Sequence, residues 1–108
     1  MKQKYIILDR DGVINFDSPD YIKSPDEWEP FANSLIAIKK LTDNNFNIII
    51  ISNQSGVDRG LITPLNFIEI NSKMITMIEK SGGAISAVLY CPSLPSDNNP
   101  NRKPNPGM

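Results

Sequence analysis

Two aspartates at the end of an apolar run are the first residues in this sequence that could do chemistry. Residues 5–8 are apolar, and Asp9, Asp11 and Gly12 follow them. Two carboxylates this close can share one small site, where their like charges need a cation or a shared proton. Mg²⁺ suits such a site because it prefers oxygen ligands and tolerates bound phosphate. Asp9 would attack phosphorus as a nucleophile, while Asp11 would protonate the leaving oxygen and then activate water.

The alternative for this segment is a solvated turn that ends a strand. Aspartates commonly form such turns by hydrogen-bonding to their own backbone, and Gly12 is equally suited to a turn. A bare Asp-x-Asp-Gly sequence is more typical of that turn than of a site, so the rest of the chain must decide.

A second polar segment begins at Ser52, directly after the apolar residues 48–51. The Ser52 hydroxyl and the backbone N–H groups after it can donate to phosphate oxygens, and Asn53 and Gln54 supply further neutral donors. Taken alone, the segment fits a plain polar loop equally well.

The third segment is basic and covers residues 102–108. Lys103 would place a point charge on a transferring phosphoryl group, and Arg102 would offer a forked donor to a second anionic or hydroxylated part of a substrate. The alternative is a solvated basic pair in a tail. Pro104 and Pro106 stiffen the segment and argue against that alternative.

The elements that must position these segments alternate between strand and helix. Apolar runs at residues 5–8, 48–51 and 87–90 predict strands, and the all-isoleucine run at 48–51 predicts a strand that is buried on both faces. Helical spacing predicts two helices, one from Ser34 to about Asn44 and one after Thr63–Pro64. We expect a left-handed stop at Asn44–Asn45 for the first, and Thr63 as the N-cap of the second. This order predicts an α/β, Rossmann-like, three-layer fold with a parallel sheet, in one domain over residues 1–108. Ligands of such sheets bind beyond the carboxyl ends of the strands, where all three polar segments would meet.

Composition excludes several functions. The net charge of -1 argues against a nucleic-acid or anionic membrane partner. Because the sequence has no histidine, serine–histidine and cysteine–histidine mechanisms are excluded, as are histidine metal sites. A lone cysteine, Cys91, predicts a reducing compartment, and no signal peptide or membrane span is apparent, so we expect a cytoplasmic protein.

Taken together, residues 9–15, 52–60 and 102–108 resemble the first three motifs of the haloacid dehalogenase (HAD) superfamily, in order. The branch that they resemble is that of the heptose-bisphosphate phosphatases, next to the histidinol-phosphate phosphatases. The resemblance covers essentially the whole chain. It implies a capless HAD-like fold in which short loops, such as residues 15–30, set specificity.

The resemblance also implies roles for individual residues. Asp9 would be the nucleophile that becomes aspartyl-phosphate and Asp11 the general acid/base, and Asp9 and the backbone carbonyl of Asp11 would bind Mg²⁺. The residues that would bind the phosphoryl group are Ser52, Asn53 and Lys103. Those that would contact the rest of the substrate are Gln54, Arg59 and Arg102. The implied substrate is a small sugar phosphate, heptose 1,7-bisphosphate, from which the C7 phosphate is removed. The resemblance thus implies a step in the biosynthesis of lipopolysaccharide precursors. Histidinol phosphate or another small metabolite remains an alternative, and nucleic-acid 3′-phosphatases share a similar third motif.

The sequence departs from the heptose branch in its zinc loop. That branch carries Cys-x-His and then Cys-x-Cys, whereas here Cys91 is followed by Ser93, Asn99 and Asn101 at the other three positions. A single thiolate cannot form a tetrahedral structural site, so we expect no structural zinc.

The sequence also lacks the family's fourth motif. The family continues with a helix, a fourth strand beside the first, and the acidic residue that completes the Mg²⁺ site. We therefore expect residues 1–108 to be part of a longer enzyme and to have little activity alone. The exposed first strand would favour self-association. An alternative from a different functional class is a non-catalytic remnant that binds phosphate.

Overall fold

The computed structural model describes residues 3–108 and shows three parallel strands joined by two helices. Met1 and Lys2, which the single-domain prediction includes, lie outside the described residues. The elements are β1 (Lys4–Leu8), α1 (Ala32–Asp43), β2 (Phe46–Asn53), α2 (Pro64–Lys80) and β3 (Ala87–Cys91), with short 3₁₀ turns at Pro25–Glu27 and Pro95–Asp97. The sheet order is β1-β2-β3, and both pairings are parallel. The predicted α/β class is confirmed.

Local sequence determines where the helices begin and end. The Thr63 side chain accepts a hydrogen bond from the Asn66 N–H at 3.1 Å, and proline occupies the first turn of α2. This is the predicted N-cap, which satisfies a donor that the helix itself cannot. The chain leaves α1 through Asn45, whose φ of 65° is left-handed. Asparagine tolerates that conformation better than most residues, so the predicted stop is also confirmed.

One face of the sheet forms the core. Ile48 and Ile50 of β2 are 0% exposed and lie in one cluster with Ile38 of α1 and with Ile70 and Met74 of α2. Both helices therefore cover the same face of β2. Consecutive right-handed crossovers that step in one direction across a sheet produce this arrangement.

The opposite face of the sheet is more open. Ile49 and Ile51 of β2 are only half-buried, and beside them Tyr5, Ile7 and Leu89 are 57%, 63% and 41% exposed. The expectation that β2 is buried on both faces is therefore wrong for the described residues, which supply two of the three layers of a HAD-like fold. None of the helices in residues 3–108 has the length and apolar character needed to cross a bilayer.

The open face and the edge position of β1 predict self-association of residues 1–108. Ile7→Lys is expected to reduce it, because a charge on an exposed edge strand opposes pairing between sheets. Sedimentation velocity over a concentration series measures the effect. Leu65→Lys is the matched control, since Leu65 is 64% exposed but lies on α2. A wild-type chain that stays monomeric at all concentrations would contradict the prediction.

Candidate active site

The three polar segments meet in one cleft of about 400 Å³ beyond the carboxyl ends of β1 and β2. The residues that line the cleft are Asp9, Asp11, Asp17, Ser18, Pro19, Tyr21, Ile22, Asn53, Gln54, Ser55 and Lys103. Because the strands are parallel, the loops that follow them share an edge of the sheet. The predicted convergence is therefore present in the structure.

Asp9 is the first residue after β1, and its side chain is half-exposed in the cleft. Its Oδ1 accepts a hydrogen bond from the Arg10 N–H at 2.8 Å and lies 3.2 Å from the Lys103 ammonium nitrogen. A carboxylate that is fixed at its base and open to a cleft beside a cation suits a nucleophile for an anionic ester.

Lys103 is held in the cleft by two contacts with β2. Its ammonium group donates to the Ile51 carbonyl at 2.9 Å. Its backbone N–H donates to the Asn53 side-chain oxygen at 2.9 Å, while the Asn53 amide donates to the Lys103 carbonyl at 3.1 Å. Asn53 thus anchors the basic segment as well as lining the cleft, a role that its motif alone did not indicate.

Asp11 lies deeper than Asp9 and is surrounded by donors. Its Oδ1 accepts from Arg10 Nε at 2.8 Å and from Asn15 Nδ2 at 3.0 Å. Its Oδ2 accepts from Arg10 Nη2 and Gln54 Nε2, each at 3.1 Å. A carboxylate offers about four acceptor positions, so this set fills all of them. To give a proton to a leaving group, Asp11 must first release one of these donors.

This environment changes the pKa of Asp11. Burial raises the pKa, but the hydrogen bonds and charge of Arg10, with the hydrogen bonds of Asn15 and Gln54, outweigh it and leave the pKa below the ordinary value of 3.8. Since the folded-state pKa is the lower one, the carboxylate stabilises the fold above the unfolded-state pKa. That stabilisation is lost as the pH falls through the folded-state value.

Asp11→Asn is accordingly expected to remove this acid-dependent part of the unfolding free energy. At neutral pH it should also cost roughly 3 kcal/mol, because Arg10, only 1% exposed, would lose its counter-ion. Urea unfolding in EDTA, from neutral pH down to about 3, measures both effects. Asp26→Asn, at an exposed position in the 3₁₀ turn, is the control and should change stability little. An Asp11→Asn chain as stable as wild type at neutral pH would show that the pair contributes nothing.

Ser52 lies beneath the floor of the cleft, and Gln54 forms part of that floor. Ser52 is 2% exposed, and its hydroxyl accepts from Gln54 Nε2 at 3.2 Å. Gln54 reaches the lining of the cleft but is only 5% exposed, and its Oε1 accepts from Arg10 Nη2 at 3.0 Å. Their phosphate- and substrate-binding roles stay predictions, and both side chains are engaged with the protein interior.

The two arginines predicted to contact substrate differ in position. Arg59 does not itself line the cleft, but it contacts two residues that do: its guanidinium is 5.9 Å from the Tyr21 ring centroid and its Nε donates to Ser55 Oγ at 3.3 Å. Arg102 is half-buried and does not line the cleft in the described structure, and its Nη1 is buried without a partner among the described residues. The structure therefore brings Arg59, rather than Arg102, beside the cleft.

Residues 15–30 form one wall of the cleft. The family resemblance implied that this loop sets specificity but singled out none of its residues. Asp17, Ser18 and Tyr21 face the cleft from this loop. The loop is anchored from below by Trp28, whose carbonyl accepts from the Lys73 ammonium of α2 at 2.8 Å. A buried tryptophan in a polar loop was the available signal for this anchoring.

The oxygen donors of the cleft fit Mg²⁺. Residues 3–108 hold no group of three or more His, Cys, Asp or Glu side chains placed to bind a metal. Mg²⁺ commonly uses only one or two carboxylates together with substrate phosphate. The Asp9 carboxylate and the Asp11 backbone carbonyl are the groups that would hold it, since the Asp11 side chain is already saturated.

A parallel α/β sheet whose strand ends bring two aspartates, a polar loop and a lysine into one cleft is the arrangement of HAD-type phosphatases. Comparisons with known proteins agree. The sequence model of the family described as polynucleotide kinase 3 phosphatase matches residues 5–108. The chain belongs to this family of the HAD superfamily, together with relatives named heptose-bisphosphate phosphatases.

One relative is the D-glycero-beta-D-manno-heptose-1,7-bisphosphate 7-phosphatase of Neisseria meningitidis. It is 44% identical over 105 residues, which are 97% of this chain and 56% of the relative. A probable heptose-bisphosphate phosphatase of Thermoplasma volcanium is 37% identical, over 97% of this chain and 71% of the relative. The crystal structure of D,D-heptose 1,7-bisphosphate phosphatase from B. bronchiseptica, complexed with magnesium and phosphate, gives a TM-score of 0.93 at 45% identity. That match covers 97% of this chain and 59% of the other. The resemblance found in the motifs is confirmed, and the chain spans little more than half the length of the first and third of these proteins.

Proposed function

We propose that this chain carries the nucleophile, the acid/base and the phosphate-binding groups of a Mg²⁺-dependent phosphatase that hydrolyses heptose 1,7-bisphosphate at C7. The observation that carries the proposal is the Asp9–Lys103 pair, 3.2 Å apart in the cleft, with Asp11 beside it. In this proposal Asp9 is the nucleophile, Lys103 the cation for phosphate and Asp11 the acid/base group of one small-molecule site.

The reaction would proceed in two displacements at phosphorus. Lys103 binds the phosphoryl oxygens while an Asp9 oxygen attacks phosphorus in line. The bond from phosphorus to the leaving oxygen breaks, and that oxygen keeps the electron pair and takes a proton from Asp11. Water then gives a proton to the Asp11 carboxylate and attacks the aspartyl-phosphate, which releases phosphate and restores Asp9. A bound Mg²⁺ would neutralise charge that develops on the phosphoryl group.

Four donors hold Asp11 as a carboxylate. Because they fill its acceptor positions, one donor must move aside before the carboxylate can accept a proton from water in the second displacement. For the first displacement the carboxyl must be protonated, and one donor must then give way. Arg10 cannot accept a proton, so the side-chain amides of Asn15 and Gln54 are the partners able to adjust.

A small sugar phosphate fits this site better than a nucleic acid. The cleft of about 400 Å³ is within the size range of small-molecule sites. The relatives are named for heptose bisphosphate, whereas the family description refers to polynucleotides. The net charge of -1 opposes a polynucleotide substrate, and Arg59 beside the cleft offers one cation for a second phosphate.

The lone buried thiol Cys91 supports a cytoplasmic, reducing location.

A substrate panel tests this function. Residues 1–108 and an extended form, continued through the acidic residue of the fourth motif, are assayed with heptose 1,7-bisphosphate, histidinol phosphate and a 3′-phosphorylated oligonucleotide. We expect the extended form to prefer the heptose and to release the C7 phosphate, as followed by phosphorus NMR. A preference for the oligonucleotide would reassign the substrate. An extended form that is inactive on all three would favour the non-catalytic remnant.

A further inference from the structure

We propose that Arg10 and Gln54 are positioning residues that fix the orientation of the Asp11 carboxyl group at the wall of the cleft. The catalytic consequence of this proposal rests on the proposed function, but the orientation itself does not. The sequence patterns gave no role to Arg10 and assigned Gln54 to the substrate.

Arg10 holds the plane of the carboxylate. Its Nε and Nη2 contact the two oxygens of Asp11 at 2.8 and 3.1 Å, which is the paired geometry that a planar guanidinium provides. Arg10 is itself immobilised, because it is 1% exposed and its carbonyl accepts from the N–H groups of Val13 and Ile14. The side chain of Asp11 is therefore fixed by a rigid partner.

Gln54 ties this pair to the second motif. Its Nε2 donates to Asp11 Oδ2 at 3.1 Å and to Ser52 Oγ at 3.2 Å, while its Oε1 accepts from Arg10 Nη2 at 3.0 Å. Its backbone is held by a hydrogen bond from its N–H to the Cys91 carbonyl at 2.7 Å. One amide thus joins the proposed acid/base, its arginine and the serine at the end of β2.

Stability alone is a poor explanation for this arrangement. Burying a guanidinium is costly, and well-packed apolar side chains often stabilise a fold as well as a buried ion pair does. A general acid/base, by contrast, must lie within hydrogen-bonding reach of the group that it protonates, so its orientation matters directly. The network lies at the wall of the cleft, and this location fits the need to orient an acid/base group.

The orientation can be measured in residues 1–108 without any turnover. Three-bond couplings from the backbone nitrogen and carbonyl carbon to Asp11 Cγ report its χ1 rotamer. We expect one rotamer in the wild-type chain and averaged couplings in Arg10→Lys and Gln54→Leu. Thr42→Val is the control, since the Thr42 hydroxyl bonds Ile38 and Ala84 away from the cleft. An averaged wild-type rotamer, or an unchanged rotamer in both variants, would overturn the proposal.

The catalytic consequence appears as a dependence on the leaving group. Para-nitrophenolate leaves readily without a proton, whereas phenolate depends more on a general acid. In the extended form, Arg10→Lys and Gln54→Leu should lower kcat for phenyl phosphate roughly tenfold more than for para-nitrophenyl phosphate. Equal losses on both esters, or a rise in KM alone for Gln54→Leu, would exclude catalytic positioning. If the wild-type extended form hydrolyses neither these esters nor heptose 1,7-bisphosphate, the proposed function fails, and the rotamer measurement still decides the orientation.

Discussion

Asp9→Asn is expected to abolish phosphate-ester hydrolysis while leaving the fold intact. An amide is a far weaker nucleophile than a carboxylate, and removal of a nucleophile commonly costs roughly 10³-fold or more in kcat. The fold should survive because the amide oxygen can still accept from the Arg10 N–H. The lost ion pair with Lys103 is partly exposed, so its contribution to stability is small.

The measurement is phosphate release by the extended form, combined with trapping of the intermediate. Borohydride reduction of rapidly quenched wild-type enzyme should convert an aspartyl-phosphate at position 9 to homoserine, which mass spectrometry locates. Asp26→Asn introduces the same chemical change at an exposed position outside the cleft and should retain full activity. Reduction at another residue, or Asp9→Asn activity within about tenfold of wild type, would remove Asp9 from its proposed role.

The elements of the fold were predictable because their signals are local. The Thr63–Pro64 start of α2 and the left-handed Asn45 after α1 depend on residues within one turn of the helix end. The meeting of the three polar segments was also predictable, because a parallel sheet places the ends of successive strands at one edge. No contact between distant residues had to be known for either conclusion.

The unequal faces of the sheet and the interior of the site were less predictable. An all-isoleucine run such as residues 48–51 looks the same whether one or both faces of its strand are covered. Arg10 and Gln54 are 44 positions apart, and no periodicity reports that their side chains meet. From the sequence alone, a charged residue between two aspartates is expected to be solvated. Arg10 is only 1% exposed, however, and belongs to the interior. Tertiary contacts decide which residues face the cleft and which lie beneath it, and the sequences of the motifs do not contain that information.

Lys103→Met is expected to lower kcat/KM by roughly 10²–10³-fold, because removal of one preorganised group that stabilises developing charge commonly costs that much. Methionine keeps much of the aliphatic length of lysine. The basic segment should stay docked, because its hydrogen bonds to Asn53 are made by the backbone of residue 103. The loss would therefore report the charge rather than a displaced loop.

Lys103→Arg separates charge from geometry at the same position. The ammonium group fits between the Ile51 carbonyl at 2.9 Å and Asp9 at 3.2 Å, where a compact donor is needed. A planar guanidinium carries the same charge but is wider and has a fixed fork, so we expect it to restore little activity. Calorimetric binding of inorganic phosphate with Mg²⁺ to the extended form should weaken in Lys103→Met and stay unchanged in Lys80→Met, a control in the last turn of α2. Unchanged phosphate affinity in Lys103→Met would mean that this lysine orients Asp9 rather than binding the phosphoryl group.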